Sequence, residues 1–176
     1  MVDTDAGLAN GEADEGSSTE RDTAAPEGYR TYHNSDFGFS MAVPEDSSVQ
    51  AEGPGRLKIQ LLGPLNEPFT EVTDGFTLTV FEDELDTSYA SAEEYAEAVI
   101  ADTRSVSENE IATELEARSV NGMPAYRYSY RGALGSLVTE YLFLPDAGTG
   151  YQISYIISDP ENRDYEDMVF TMLESL

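Results

Sequence analysis

Hydrophobic and polar positions alternate most cleanly in the last third of the chain. From Ala125 to Tyr130 small or polar residues alternate with tyrosines, the period of a strand that buries one face. Leu137–Leu144 and Tyr151–Ile157 follow, both rich in β-branched and aromatic residues. Gly132-Ala133-Leu134-Gly135 and Pro145-Asp146-Ala147-Gly148-Thr149-Gly150 supply the turns between them. Then the period changes. Tyr165, Met168, Val169, Met172, Leu173 and Leu176 recur at helical spacing, which predicts a helix over about 164–175 with one apolar face for the meander. Asp159, ahead of Pro160, or Asp164 could cap it.

Upstream, Tyr29–Tyr32, Phe37–Val43, Val49–Glu52, Leu57–Leu62 and Phe76–Phe81 read as strands. Turns fall at Asn34-Ser35-Asp36, at Pro44–Ser48 and at Gly53-Pro54-Gly55; residues 63–73, with Pro64 and Pro68, read as a loop. Ser91 opens the longest helix, over Ser91–Arg104, and Glu94 completes an S-x-x-E capping box. Ala92, Tyr95, Ala96, Val99, Ile100 and Thr103 line one face of it, and residues 105–111 form a polar crossing back to the meander. Each helix has a single apolar stripe. Leu142-Phe143-Leu144 and Ile156-Ile157, by contrast, place apolar residues at both strand parities, so the two helices should cover opposite faces of one sheet. The expected fold class is α+β, an α/β/α sandwich with a central antiparallel sheet and helices on both faces.

Composition divides the chain. Residues 1–27 hold eight acids, one base and almost no large apolar side chain, and read as a disordered acidic linker; residues 28–176 read as a single domain. Over all 176 residues there are 35 acidic side chains against 9 basic ones, a formal net charge of -26. That field repels nucleic acid and anionic membrane, whose binding needs clustered bases, so neither is an expected partner. Lys58 is the single lysine, and a lysine-poor acidic surface fits a protein adapted to high salt. Cysteine is absent, which removes disulfides and thiolate chemistry. No run reaches the roughly 20 apolar residues of a membrane helix, and the first residues lack the basic start and apolar run of a signal peptide. The expectation is a cytosolic protein, or one whose targeting segment lies upstream of this chain.

Candidate chemistry is sparse. His33 is the only histidine; with Ser35 and Asp36 it is too close along the chain for a nucleophile–base–orienter triad, and is expected in a surface loop. Carboxylates cluster at Glu82-Asp83-Glu84, at Glu108 with Glu110, and from Glu161 to Asp167. Weak Ca2+ binding follows from such charge, but a solvated acidic face is the better reading, and no cofactor is expected. The glycine pairs are hairpin turns, not phosphate loops. Among eleven tyrosines, Tyr126, Tyr128 and Tyr130 share one strand face by parity, and Tyr141, Tyr151 and Tyr155 could neighbour them. Ring and hydroxyl together suit an interface, which makes Tyr126, Tyr128, Tyr130 and Tyr141 the candidate protein-binding surface; a helix covering the tyrosine face is the competing and favoured reading.

The chain resembles a known family. Phe37-Gly38-Phe39-Ser40-Met41-Ala42-Val43-Pro44 is similar to an early element of the PsbP-like proteins. That group includes the photosystem II subunit PsbP, the nuclear-transport factor Mog1 and many bacterial and archaeal lipoproteins. Asn121-Gly122-Met123-Pro124-Ala125-Tyr126 resembles a G-x-P-A stretch that opens one of its hairpins. Tyr151–Tyr155 and the closing Phe170, Leu173, Ser175 and Leu176 look like its last strand and helix. One departure is the absence of the tryptophan found after the early proline, where Asp46-Ser47-Ser48 stands. The resemblance spans 28–176 and implies a PsbP/Mog1-like sandwich, not an enzyme. It also implies a protein often tethered outside the cytoplasm through a lipidated cysteine that would precede this chain. The functional expectation is a monomeric, non-catalytic scaffold or protein-binding module with an unknown protein partner, or alternatively a small-ligand or Ca2+ carrier.

Overall fold

A strand with apolar residues at both parities needs cover on both sides. The computed structural model, which describes residues 25–35, 38–66, 72–84, 89–146 and 149–176, supplies different cover on each. In chain order the strands are β1 (Tyr29–Asn34), β2 (Phe39–Pro44), β3 (Ser48–Ala51), β4 (Arg56–Leu62) and β5 (Gly75–Glu84). Helix α1 (Ala92–Ser105) comes next, then β6 (Glu110–Val120), β7 (Met123–Arg131), β8 (Leu137–Asp146) and β9 (Thr149–Ser158), and α2 (Tyr165–Glu174) closes the chain. Strands β3 to β9 make one seven-stranded sheet in the order β3-β4-β5-β9-β8-β7-β6, with every pairing antiparallel. The link through α1 carries the chain from β5 to the far edge, and three hairpins bring it back to the middle beside β5.

Strand β8 shows the two faces side by side. Leu142 packs with Tyr95, Ala96 and Ile100 of α1 and with Tyr128. Its neighbours Tyr141 and Phe143 join Val169, Met172 and Leu173 of α2, in a core that also takes Leu57, Ile59, Leu78 and Ile153. The helices therefore lie on opposite faces, and the fold is the α+β sandwich that the pattern predicts. Helix α1 reaches β6, β7 and β8. Ser91 caps it, accepting a hydrogen bond from Glu94 N at 3.2 Å. The return bond of the box shifts by one residue: Glu94 Oε2 accepts from Ala90 N at 2.7 Å.

The structure adds one placement and corrects two expectations. First, the leading hairpin stands apart from the central sheet: β1 and β2 form a two-stranded sheet of their own. Met41 and Val43 of β2 turn into the α2 core, and Ala42 N donates to Ser175 Oγ at 2.8 Å, so this hairpin fills space beside α2. Second, the crossing at 105–111 ends earlier than its polarity suggests, because β6 begins at Glu110. Most of that strand is exposed, and two register shifts break its alternation. Charge and bulges protect it as a sheet edge and also hide its period. Third, His33 stands exposed on β1 opposite Ser40 rather than in a loop. Asp36 and the linker reading of residues 1–24 lie outside the described residues.

One polar node fixes the start of α2. Asp74, fully buried just before β5, accepts from Tyr165 Oη at 2.9 Å and from Leu65 N at 3.0 Å, with Arg163 Nε at 3.8 Å. Gly63 packs against this node so closely that a Cβ there would overlap the Asp74 carboxylate and the Tyr165 hydroxyl. Helix α2 is thereby held over the start of β5, one of the two strands it contacts most, the other being β2.

Candidate functional site

The four candidate tyrosines do not form one exposed surface. Tyr126, Tyr128 and Tyr130 share the α1 face of β7 as parity requires, whereas Tyr141 lies on the α2 face of β8. Tyr128 is fully buried and its hydroxyl pairs with Thr103 Oγ1 at 2.8 Å. It stacks on Tyr130, whose hydroxyl donates to Glu140 Oε1 at 3.5 Å. Glu140 is itself buried, and its other oxygen accepts from Gln152 Nε2 at 2.9 Å. Burial, reinforced by the Glu140 charge, pushes Tyr130 up to about 12 and Tyr128 further still. Tyr141 is buried and stacked on Tyr155 beneath α2. Helix α1 covers most of the tyrosine face, and the hydroxyls and the carboxylate it covers satisfy one another. Tyr126 and Tyr130, both half-buried, are what remains open to a partner.

A different site emerges on the α2 face. Beneath the first turn of α2 is a cleft of about 390 Å³, with a floor of Arg127 from β7, Leu137 and Thr139 from β8, and Tyr155 and Ile157 from β9. Its rim comes from the loop into α2 and from the helix start: Asp159, Asn162, Asp164, Glu166 and Asp167. The volume lies within the range of small-molecule sites. Strand parity places the floor. Arg127 and Ser129 alternate with the tyrosines of β7 and so face away from α1, while Thr139 pairs with Tyr155 across the β8–β9 ladder.

The rim is built from unusual backbone. Asn162 and Asp164 have φ of 53° and 61°, the left-handed region that Asn and Asp tolerate best among residues with a Cβ. Asp159 Oδ1 accepts from Arg163 N at 2.7 Å, which ties the loop ahead of the helix, and neither Asp159 nor Asp164 caps α2 through its side chain. Asp164 occupies the N-cap position without a side-chain cap bond, which leaves its carboxylate to the cleft. Among the described residues Asp159, Asp164, Glu166 and Asp167 take part in no ion pair; Arg163, the nearest base along the chain, is engaged by Glu161 and Asp74.

The floor holds two buried polar atoms without hydrogen-bond partners, Arg127 Nε and Tyr155 Oη. Tyr155 is only 4% exposed. Burial raises its pKa above the ordinary tyrosine value; the Arg127 charge tempers the rise, as do the Thr139 and Arg127 side chains, which reach toward the hydroxyl without closing a well-formed hydrogen bond, and Glu166 adds to it. The hydroxyl thus stays protonated at neutral pH as a donor. Thr139 Oγ1 is already 3.0 Å from Ser129 Oγ. Unpaired buried donors of this kind cost about 1–3 kcal/mol each. Sequence reasoning places Tyr155 in a strand and the 161–167 acids on a surface, and brings neither to the other. The available signal is Arg127, the one charge inside the Ala125–Tyr130 alternation, at the parity opposite to the tyrosines.

Among the described residues no three of His, Cys, Asp or Glu come together as a metal-binding group. None of the described helices is long and apolar enough to cross a membrane.

No family model matches the chain, and no curated protein matches it by sequence. Solved structures do match by fold. LpqN of Mycobacterium tuberculosis, involved in cell envelope biogenesis, is similar with a TM-score of 0.56 and 16% identity, covering 83% of this chain and 87% of its own. PsbP (CyanoP) of Synechocystis matches with a TM-score of 0.50 and 14% identity, over 87% of this chain and 93% of its own. A Pseudomonas aeruginosa protein of unknown function matches with a TM-score of 0.53 and 10% identity, over 84% and 95%. At these identities the likeness shows the fold alone: this chain has an α+β fold of the PsbP/Mog1-like kind.

Proposed function

We propose that this chain is a non-catalytic binding module whose recognition site is the cleft beneath the start of α2. One observation carries the reading: the Tyr155 hydroxyl, buried in the cleft floor beside Arg127 Nε, has no hydrogen-bond partner. Native interiors pair nearly all their buried polar groups, and the exceptions call for an explanation such as a ligand. The α1 face of the same sheet follows that rule, so the exception at the cleft is local. A bound molecule that accepts from both groups would recover the lost hydrogen bonds.

The reading extends to a setting. An acidic, lysine-poor chain suits high salt. The polar composition of residues 1–27 suits a linker to an anchor, and the likeness to an envelope-biogenesis protein supports a position outside the cytoplasm. A library of small metabolites screened against the full chain by amide NMR tests the site. Hits should produce saturable shifts at Thr139, Tyr155, Ile157 and Asn162. Hits that cluster on another surface, with the cleft silent, would sink the proposal.

A further inference from the structure

The cleft divides its chemistry between floor and rim, and that division selects a ligand. Two donors on the floor, Arg127 Nε and Tyr155 Oη, call for an acceptor, and the Arg127 charge favours an anionic one. The rim presents Asp159, Asp164, Glu166 and Asp167. No base among the described residues pairs with them, so they call for a cation. A simple anion would satisfy the floor but would have to pass four carboxylates on a chain of net charge -26. A simple cation would satisfy the rim but leave the floor donors buried and unpaired. Metal ions meet the same objection, and no three metal-ligating side chains converge among the described residues.

Resting on the reading of the cleft as a binding site, we propose that its ligand is a small zwitterion: an amino acid with an aliphatic side chain. The carboxylate is received by Arg127 and Tyr155, the ammonium faces the acidic rim, and the side chain lies against Leu137 and Ile157, the apolar part of the lining. A volume of about 390 Å³ accommodates a molecule of this size with room for water. Both ends of the ligand are charged, so each half alone forfeits one set of charge-assisted bonds.

The test uses matched probes. L-leucine, 4-methylpentanoate, 3-methylbutylamine and glycerol are each titrated into the full chain and followed by amide NMR. L-leucine should give saturable shifts at the cleft amides with an affinity at least about tenfold above either half-molecule. Tyr155→Phe should weaken it about fivefold, the loss of one hydrogen bond. Should that buried substitution disturb the fold, Glu166→Gln with Asp167→Asn, both exposed, gives an independent reading: L-leucine weakens while 4-methylpentanoate strengthens. If the cleft takes a half-molecule or glycerol as well as it takes L-leucine, the zwitterion assignment is wrong while the binding site stands. If no probe moves the cleft amides, the assignment falls, and the metabolite screen then decides the site itself.

Discussion

Tyr128 and Tyr155 lie two strands apart on opposite faces of one sheet. Both are buried and both have hydroxyls shifted above the ordinary tyrosine range. Tyr128 has a partner in Thr103; Tyr155 has none. The contrast extends to their surroundings. On the α1 face the buried polar groups close into local pairs, Thr103 with Tyr128 and Glu140 with both Tyr130 and Gln152, beneath a small apolar cluster. On the α2 face the apolar core is much larger, drawing on β2, β4, β5, β8, β9 and α2, and the polar groups at its corner open onto a cleft. Burial alone does not separate a structural polar group from a functional one. Pairing does, because a network that satisfies itself has nothing left to offer a ligand.

The contrast between the faces is open to direct attack. The largest effect should come from the α2 core, where Leu78→Ala should cost about 3–5 kcal/mol in urea unfolding. Ile100→Ala, in the smaller α1 cluster, should fall nearer 2 kcal/mol, since a helix over a thin layer can settle into the gap. Equal costs would mean that the two layers are equally rigid. Next comes Gly63→Ala. Its methyl group meets the Asp74–Tyr165 node, and the strain should cost about 1–3 kcal/mol and loosen the start of α2. Hydrogen exchange should then rise in α2 before it rises in α1.

Alkaline pH distinguishes the nodes. Tyr165 is raised to about 12 by burial and by the Asp74 carboxylate, and Tyr130 to about 12 by burial and Glu140. In the unfolded chain both release their protons near 10. Their contribution is therefore complete below pH 10, and is lost between pH 10 and 12 as the unfolded state ionises first. Stability measured across that window should fall steadily. Ultraviolet or ring-carbon NMR titration should show Glu140→Gln lowering Tyr130 without moving Tyr165, and Asp74→Asn the reverse. A shared response would show the two faces to be coupled.

A smaller effect concerns salt. Residues 28–176 hold 27 of the acids and eight of the bases, apart from the borderline Glu27. The Debye length falls from about 30 Å at 0.01 M salt to about 3 Å at 1 M. The thermal midpoint should climb by several degrees over that range, most steeply at the low end. A flat or falling midpoint would remove the high-salt reading and leave the cleft argument untouched.

Much of this fold can be read from the residues because its signals are local. The tyrosine alternation at 125–130, the mixed parities of Leu142-Phe143-Leu144 and the Ser91 cap each depend on a few neighbouring positions, and each forms as its pattern predicts. Strand β6 escapes because edge protection consists of charge and bulges, the features that erase a period. The separate β1–β2 hairpin escapes because alternation does not say which sheet a strand joins. The cleft is hidden for a stronger reason. Arg127, Tyr155 and Asp164 become a site only when three strands and a helix start converge, and the missing partner of Tyr155 is a property of that assembly. The tyrosine surface misleads in the complementary way, since parity correctly groups Tyr126, Tyr128 and Tyr130 and says nothing of what covers them.

The central claim is that polar groups on the α1 face are spoken for and those in the cleft are not. Equilibrium urea unfolding of two matched deletions, Tyr128→Phe and Tyr155→Phe, tests it most directly. Tyr128→Phe removes a made hydrogen bond and should cost about 1 kcal/mol. Tyr155→Phe removes a hydroxyl that no protein group answers, and should leave stability within about 0.5 kcal/mol of the parent or raise it. If Tyr155→Phe destabilises the chain as much as Tyr128→Phe does, its hydroxyl has a partner within the fold, and the cleft loses the observation on which its function rests.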